Sequence, residues 1–240
     1  MCGIVGIAGT RDVAPVLVEA LRRLEYRGYD SAGIATLVEG AIARRRAPGK
    51  LARLDEALKA QPLAGRTGIG HTRWATHGAP TEANAHPHAT ARVAIVHNGI
   101  IENFRELKAE LEAKGHSFES QTDSEVAAHL VSQYLEDGLS PAEAAKTAVA
   151  RLTGAYSIAM IFHGREGLLV GARKGSPLAV GYRETETYLG SDAFALAPFT
   201  NRVTYLEEGD VAVIQGTSVA IFDGLGRPAN REITITSASA

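Results

Sequence analysis

The sequence predicts an α+β chain of stacked antiparallel sheets with helices outside, and three observations carry that prediction. Seven short apolar runs bounded by Gly, Ser and Pro follow one another over 156–162, 167–172, 178–182, 187–189, 203–206, 211–215 and 220–222. Helical periodicity comes in blocks rather than between successive strands, which argues against a doubly wound parallel sheet. The 240 residues hold no repeat or low-complexity segment, and 45% are apolar and 22% charged, the balance of one large soluble domain with a sizeable core.

Composition removes several function classes. A formal net charge of −2 offers no electrostatic case for nucleic acid or an anionic membrane. No apolar run approaches the roughly 20 residues of a membrane helix, and the N-terminus lacks the basic and apolar regions of a signal peptide. One cysteine cannot form an intrachain disulfide. The expected location is the cytoplasm.

Taken in order, the chain opens on Met1-Cys2-Gly3-Ile4-Val5-Gly6. If Met1 is removed, Cys2 carries a thiol and a free α-amine whose unperturbed pKa values, about 8.5 and about 7.7–8.0, are close enough for proton transfer near neutral pH. Gly3 would allow a substrate close to the thiol, and Ile4, Val5 and Ile7 read as a buried strand. The competing reading is a small buried core cysteine. Asp12 is the expected cap of a helix along Val13, Val16, Leu17, Ala20, Leu21 and Leu24, closed by Gly28. The polar turn 26–31 either positions Arg27 for function or pairs Arg27 with Asp30.

A strand is expected over 41–46 and a helix over 51–60. Another strand runs to about Ala75, followed by an irregular loop to His88. His71, His77, His86 and His88 invite a metal, but no Cys, Asp or Glu accompanies them at ligand spacing, so loop-ordering hydrogen bonds are the better reading. His97-Asn98-Gly99 ends the strand over 92–96. Asn-Gly is either a type I′ turn or two donors, the Asn98 amide and the Gly99 N–H, aimed at one oxyanion. Helices follow over 102–114 and 141–152. Between them Thr122-Asp123-Ser124-Glu125 reads as a capping box, with Asp123 placed well for a helix dipole.

Together, residues 2–6, 21–35, 71–78, 85–88, 97–103, 122–126, 172–177 and 206–210 resemble the class II glutamine amidotransferases, the N-terminal-nucleophile glutaminases, over essentially the whole chain. The run 22–33 and the Trp74 segment are most similar to the branch in which a glutaminase domain is joined to a sugar-phosphate isomerase region. The resemblance implies a four-layer αββα sandwich and assigns roles by position. Cys2 would be the nucleophile, with its own α-amine as base. The Asn98 side chain and Gly99 N–H would form the oxyanion hole. Arg73 would hold the glutamine α-carboxylate and Asp123 its α-ammonium. Trp74, Thr76 and His77 would lie in a loop closing over the substrate, with His86 on its continuation and Arg27 near the catalytic terminus. No metal or cofactor is implied.

Glutamine is the implied substrate, and ammonia from it would convert fructose-6-phosphate to glucosamine-6-phosphate in the isomerase region. That region is absent up to Ala240. Residues 1–240 therefore read as a single glutaminase domain, either a piece of a longer enzyme or a stand-alone subunit. Two alternatives stand beside this: a class II member serving another ammonia acceptor, and a non-catalytic glutamine-sensing or metal-binding module using the histidines.

Overall fold

Alternate residues of the apolar runs have two different destinations, and this builds the layers. The computed structural model describes residues 2–75 and 78–236. In chain order the elements are β1 (Gly3–Ala8), α1 (Ala14–Arg22), β2 (Ser31–Val38), β3 (Ala41–Pro48), α2 (Leu51–Ala60), β4 (Thr67–Arg73), β5 (His88–Ala89), β6 (Val93–Ile101), α3 (Phe104–Ala113), α4 (Ser124–Glu136), α5 (Pro141–Arg151), β7 (Gly154–Phe162), β8 (Leu168–Lys174), β9 (Ala179–Tyr182), β10 (Thr187–Gly190), α6 (Ala193–Leu196), β11 (Arg202–Tyr205), β12 (Val211–Gln215), β13 (Ser218–Phe222), β14 (Pro228–Ala229) and β15 (Thr234–Ile235). Among the described residues they form an eight-stranded sheet, ordered β15-β11-β9-β10-β1-β4-β2-β3, and a seven-stranded one, ordered β14-β13-β12-β8-β7-β6-β5. Every strand pairing described is antiparallel.

Val5 and Ile7 of β1 pack under α1 and α2, while Ile4 and Ala8 face the other sheet. In β7, Ile158, Met160 and Phe162 meet α4 and α5, while Ala159 and Ile161 face inward. The period-2 alternation of a strand thus fills a helix–sheet core on one side and the sheet–sheet core on the other. The result is the expected αββα sandwich. Among the described residues no helix is long and apolar enough to cross a membrane.

Local expectations fail where a polar group takes a partner far along the chain. Asp12 does not cap α1; its carboxylate accepts from the Gly65 N–H at 3.0 Å, and Val13 at the cap position makes no side-chain bond. Gly28 does not close α1, which ends at Arg22; it closes the single 3-10 turn over Glu25–Arg27, its N–H donating to the Glu25 carbonyl at 3.1 Å. Its role is steric: a Cβ there would lie 2.6 Å from the Arg73 carbonyl carbon. Gly3 likewise makes room for Leu24 and Thr72, each 2.7 Å from a would-be Cβ, rather than for a substrate.

The Asn98-Gly99 hairpin does not form. β6 continues to Ile101 because β7 pairs with it from Val93↔Phe162 to Ile101↔Gly154. Gly99 sits inside the strand at φ +112°, where a Cβ would be 2.0 Å from the Ala155 carbonyl oxygen, so only glycine fits. The capping box is also absent. Asp123 occupies the cap position of α4 without a capping bond, and Glu125 reaches the Glu119 and Ser120 N–H groups at 2.8 and 2.7 Å. Gly190-Ser191-Asp192, whose composition reads as a turn between strands, leads instead into α6, with Asp192 accepting from the Phe194 N–H at 2.9 Å.

The sheet–sheet layer offers a direct stability test. Leu189 is fully buried there against Gly6 and Gly171. Leu189→Ala should cost about 3 kcal/mol in denaturant unfolding, because the sheets cannot close over the gap. A loss under about 1 kcal/mol would mean that the layer collapses freely.

Candidate active site

Cys2 precedes the first residue of β1, a strand held from both sides by β4 and β10. The Ile4 N–H donates to Ser191 Oγ at 3.0 Å and the Ser191 N–H donates to the Ile4 carbonyl at 3.0 Å. The thiol is therefore carried at the end of a strand that cannot fray freely. Its sulfur accepts from the Trp74 N–H at 3.2 Å. Burial pushes the Cys2 thiol up from its ordinary value, opposed by that N–H and by the positive charge of Arg73. A thiol held protonated in this way needs a base to become a nucleophile.

Two spaces meet at Cys2. The outer one, about 390 Å³, is lined by Cys2, Arg27, Trp74, Asn98, Gly99 and Ile100, with Ser176, Pro177 and Ser191 opposite. The inner recess, about 20 Å³, is walled by Cys2, Arg73, Trp74, His86, His97 and Gly99, and by Thr122, Asp123 and Ser124. Arg73 lies at the end of β4 and donates to the Gly78 and Ala79 carbonyls at 3.1 and 3.2 Å. Asp123, at the start of α4, accepts from the Ile101 N–H at 2.7 Å. The recess thus has a cationic and an anionic wall beside one sulfur.

On the outer side, Asn98 Nδ2 donates to the Cys2 carbonyl at 3.0 Å. Arg27 pairs with Asp192 and donates to the Tyr26 hydroxyl at 3.0 Å, not with Asp30. Asp30 accepts from the Ala75 N–H at 2.7 Å and so anchors the segment after Trp74. Trp74 is 44% exposed with its ring edge-on to Tyr29 at 5.3 Å, on the rim of the site. Thr76 and His77, expected in the closing loop, lie outside the described residues.

Behind the recess four histidines form a buried cluster. His71 and His86 stack with ring centroids 4.0 Å apart, and His88 meets His86 edge-on at 4.6 Å. His97 Nδ1 bonds Ser124 Oγ at 2.7 Å, and His88 Nε2 bonds Thr122 Oγ1 at 3.0 Å. These are ordering bonds, as expected for His88, and among the described residues no three of His, Cys, Asp or Glu are placed to hold a metal ion. His86 has both ring nitrogens without a hydrogen-bond partner among the described residues. Burial is the leading cause that lowers all four, to about 3 for His71 and for His88.

Of the residues singled out in the sequence, Cys2, Arg27, Arg73, Trp74, His86, Asn98, Gly99 and Asp123 line these two spaces. Sequence reasoning missed His97, Ser124 and Ser191. The first two were legible only as parts of the His97-Asn98-Gly99 and Thr122-Asp123-Ser124-Glu125 motifs, and Ser191 was read as a turn.

The architecture matches solved structures of glutamine-dependent enzymes. The glutamine phosphoribosylpyrophosphate amidotransferase from B. subtilis is similar at TM-score 0.78 and 25% identity, over 93% of this chain and 49% of that one. A glutamine aminotransferase class-II domain protein from Silicibacter pomeroyi shares the fold at TM-score 0.61 and 18% identity, over 93% and 99% of the two chains. Fold and site define a chain of the N-terminal-nucleophile amidotransferase type.

Residues 71–198, just over half of the sequence, match the glutamine amidotransferase domain family, and the chain belongs to it. Two curated relatives, from Mesorhizobium japonicum and Gluconobacter oxydans, are 62% and 63% identical over 97% of this chain. Both are named glutamine–fructose-6-phosphate aminotransferase (isomerizing), and the chain spans 38% of the length of each.

The histidine cluster makes stability depend on pH. In the unfolded chain each imidazole binds a proton below about pH 6.5, whereas in the folded chain His71 and His88 resist it down to about 3. The unfolded state then holds more protons, so stability is full above about pH 7 and falls as pH drops from about 6.5 towards 3, by on the order of 1 kcal/mol per pH unit for each ring. Denaturant unfolding at pH 7 and at pH 5 checks this; equal stability at the two values would rule out a neutral buried cluster.

Proposed function

We propose that residues 1–240 form a single glutaminase domain that hydrolyses the side-chain amide of glutamine through a γ-glutamyl thioester on Cys2. The observation that carries the reading is the inner recess, where Arg73 and Asp123 flank the Cys2 sulfur. An α-amino acid needs a cation for its carboxylate and an anion for its ammonium, and the planar fork of arginine suits the former. The recess admits about one water as it stands, so binding requires its walls to part.

In this reading the α-amine of Cys2, freed by loss of Met1, takes the thiol proton. The thiolate attacks the amide carbon, and the Asn98 amide and Gly99 N–H stabilise the resulting oxyanion. The ammonium returns the proton to departing ammonia, and water then cleaves the thioester, releasing glutamate. Trp74, Thr76, His77 and His86 would enclose the substrate, with Arg27 supporting the catalytic terminus. Membership of the family and the relatives' names support a second step: a C-terminal isomerase region of a longer protein would use the ammonia to convert fructose-6-phosphate to glucosamine-6-phosphate. The lone cysteine, which cannot form an intrachain disulfide, favours the cytoplasm.

The direct test is to supply the 240-residue chain with glutamine, with and without fructose-6-phosphate. Glutamate and ammonia should appear in both, glucosamine-6-phosphate in neither, and Cys2→Ala should abolish turnover while leaving unfolding unchanged. Undiminished glutamate from that variant would end the proposal. Substitutions should also separate chemistry from recognition. Asn98→Ala should lower kcat by about 10²–10³ with little change in KM. Arg73→Ala and Asp123→Ala should instead erode the preference for glutamine over amides lacking the α-amino acid group; unchanged preference in both would mean that these charges do not hold the substrate.

A further inference from the structure

We propose that His71 is a positioning residue that fixes which way the Asn98 amide faces Cys2. The proposal rests on the glutaminase reading, in which Asn98 is an oxyanion donor, and adds to it a residue that touches no substrate. The Cys2 carbonyl oxygen can only accept, so the Asn98 atom 3.0 Å from it is the amide nitrogen Nδ2. The other amide atom is then Oδ1, and it lies 2.9 Å from His71 Nε2. The His97 carbonyl, also an acceptor only, lies 3.0 Å from that same nitrogen. Three acceptor identities therefore converge on one tautomer: Nε2 of His71 carries the proton and shares it between Asn98 Oδ1 and the His97 carbonyl.

The arrangement excludes the flipped amide. Turning Asn98 by 180° would set Oδ1 against the Cys2 carbonyl oxygen and Nδ2 against the His71 N–H, two like-with-like contacts at hydrogen-bond distance. Both would occur where water cannot screen them, since Asn98 is 8% and His71 0% exposed. With an apolar side chain at position 71 only one of these penalties survives, and the amide loses half of what aligns it. A flipped Asn98 would turn a carbonyl dipole towards the developing oxyanion. The His71 ring is itself held: it stands on β4 opposite Ile4 of β1 and stacks on His86 at 27° between planes. Its Nδ1 has no hydrogen-bond partner among the described residues, so nothing competes for the tautomer.

The test compares His71→Gln with His71→Asn in the 240-residue chain, since a glutamine amide reaches the Nε2 position and an asparagine amide stops at Nδ1. His71→Gln should keep kcat for glutamine hydrolysis within about threefold. His71→Asn should lose roughly ten- to a hundredfold in kcat, part of what a missing oxyanion donor costs, with KM within about twofold. Placed on Asn98→Ala, His71→Asn should cost nothing further, because its effect passes through the amide already removed. Full kcat in His71→Asn, equal losses in the Gln and Asn variants, or the same loss on both backgrounds would overturn the proposal. Nitrogen-15 NMR of the unaltered chain gives a readout independent of how the variants fold: Nε2 of His71 should be protonated, and a proton on Nδ1 instead would refute the assignment. If the unaltered chain releases no glutamate, it is the glutaminase reading that fails, whatever the tautomer.

Discussion

The two-sided pairing of β1 is the constraint on which the site depends. A chain terminus ordinarily frays, because its last residues lose few contacts by moving. Here β1 is bonded to β4 along one edge and to β10 along the other, and Ser191 closes the ladder at Ile4. Cys2, second in the sequence, is thus placed with the accuracy of a central strand. This suits chemistry that needs a thiol and, in the proposed mechanism, an amine on one residue: the chain end has to be both free and fixed.

Charge around Cys2 is managed by the backbone. Arg73 is tied to the Gly78 and Ala79 carbonyls and Asp123 to the Ile101 N–H, so each buried charge has hydrogen bonds of its own in the absence of a ligand. The histidines behind them stay neutral because burial penalises their protonated forms. They therefore add no positive charge beside Arg73. Asn98 and Gly99 owe their place to β6 running on past the point where an Asn-Gly pair commonly turns, its nine residues matched by β7.

The layered fold was legible because strands buried on both faces leave apolar runs in the sequence, and the lone Cys2 was conspicuous by position. The misreadings share one cause. Asp12, Asp123 and Glu125 were assigned to the nearest helix start, yet the first two bond backbone groups 53 and 22 residues away and the third reaches back five and six. Local capping rules see only the next turn, and a carboxylate prefers whichever N–H the fold brings closest. Asn98-Gly99 failed as a hairpin for the same reason: the partner strand that keeps β6 extended starts more than 50 residues later. The part played by Ser191 could not be read locally, since its contact with Ile4 spans 187 residues.

The walls of the recess come from both sheets. Cys2 immediately precedes β1 and Arg73 ends β4 of the eight-stranded sheet, while Gly99 lies on β6 of the seven-stranded one and Asp123 beside it. Neither sheet alone supplies all the walls of the recess. A nascent chain can complete the first sheet's early strands and still hold only an inert thiol beside an arginine. In the proposed mechanism, thioester chemistry would wait until the two sheets have packed, so the apolar layer between them would gate reactivity as well as hold the fold.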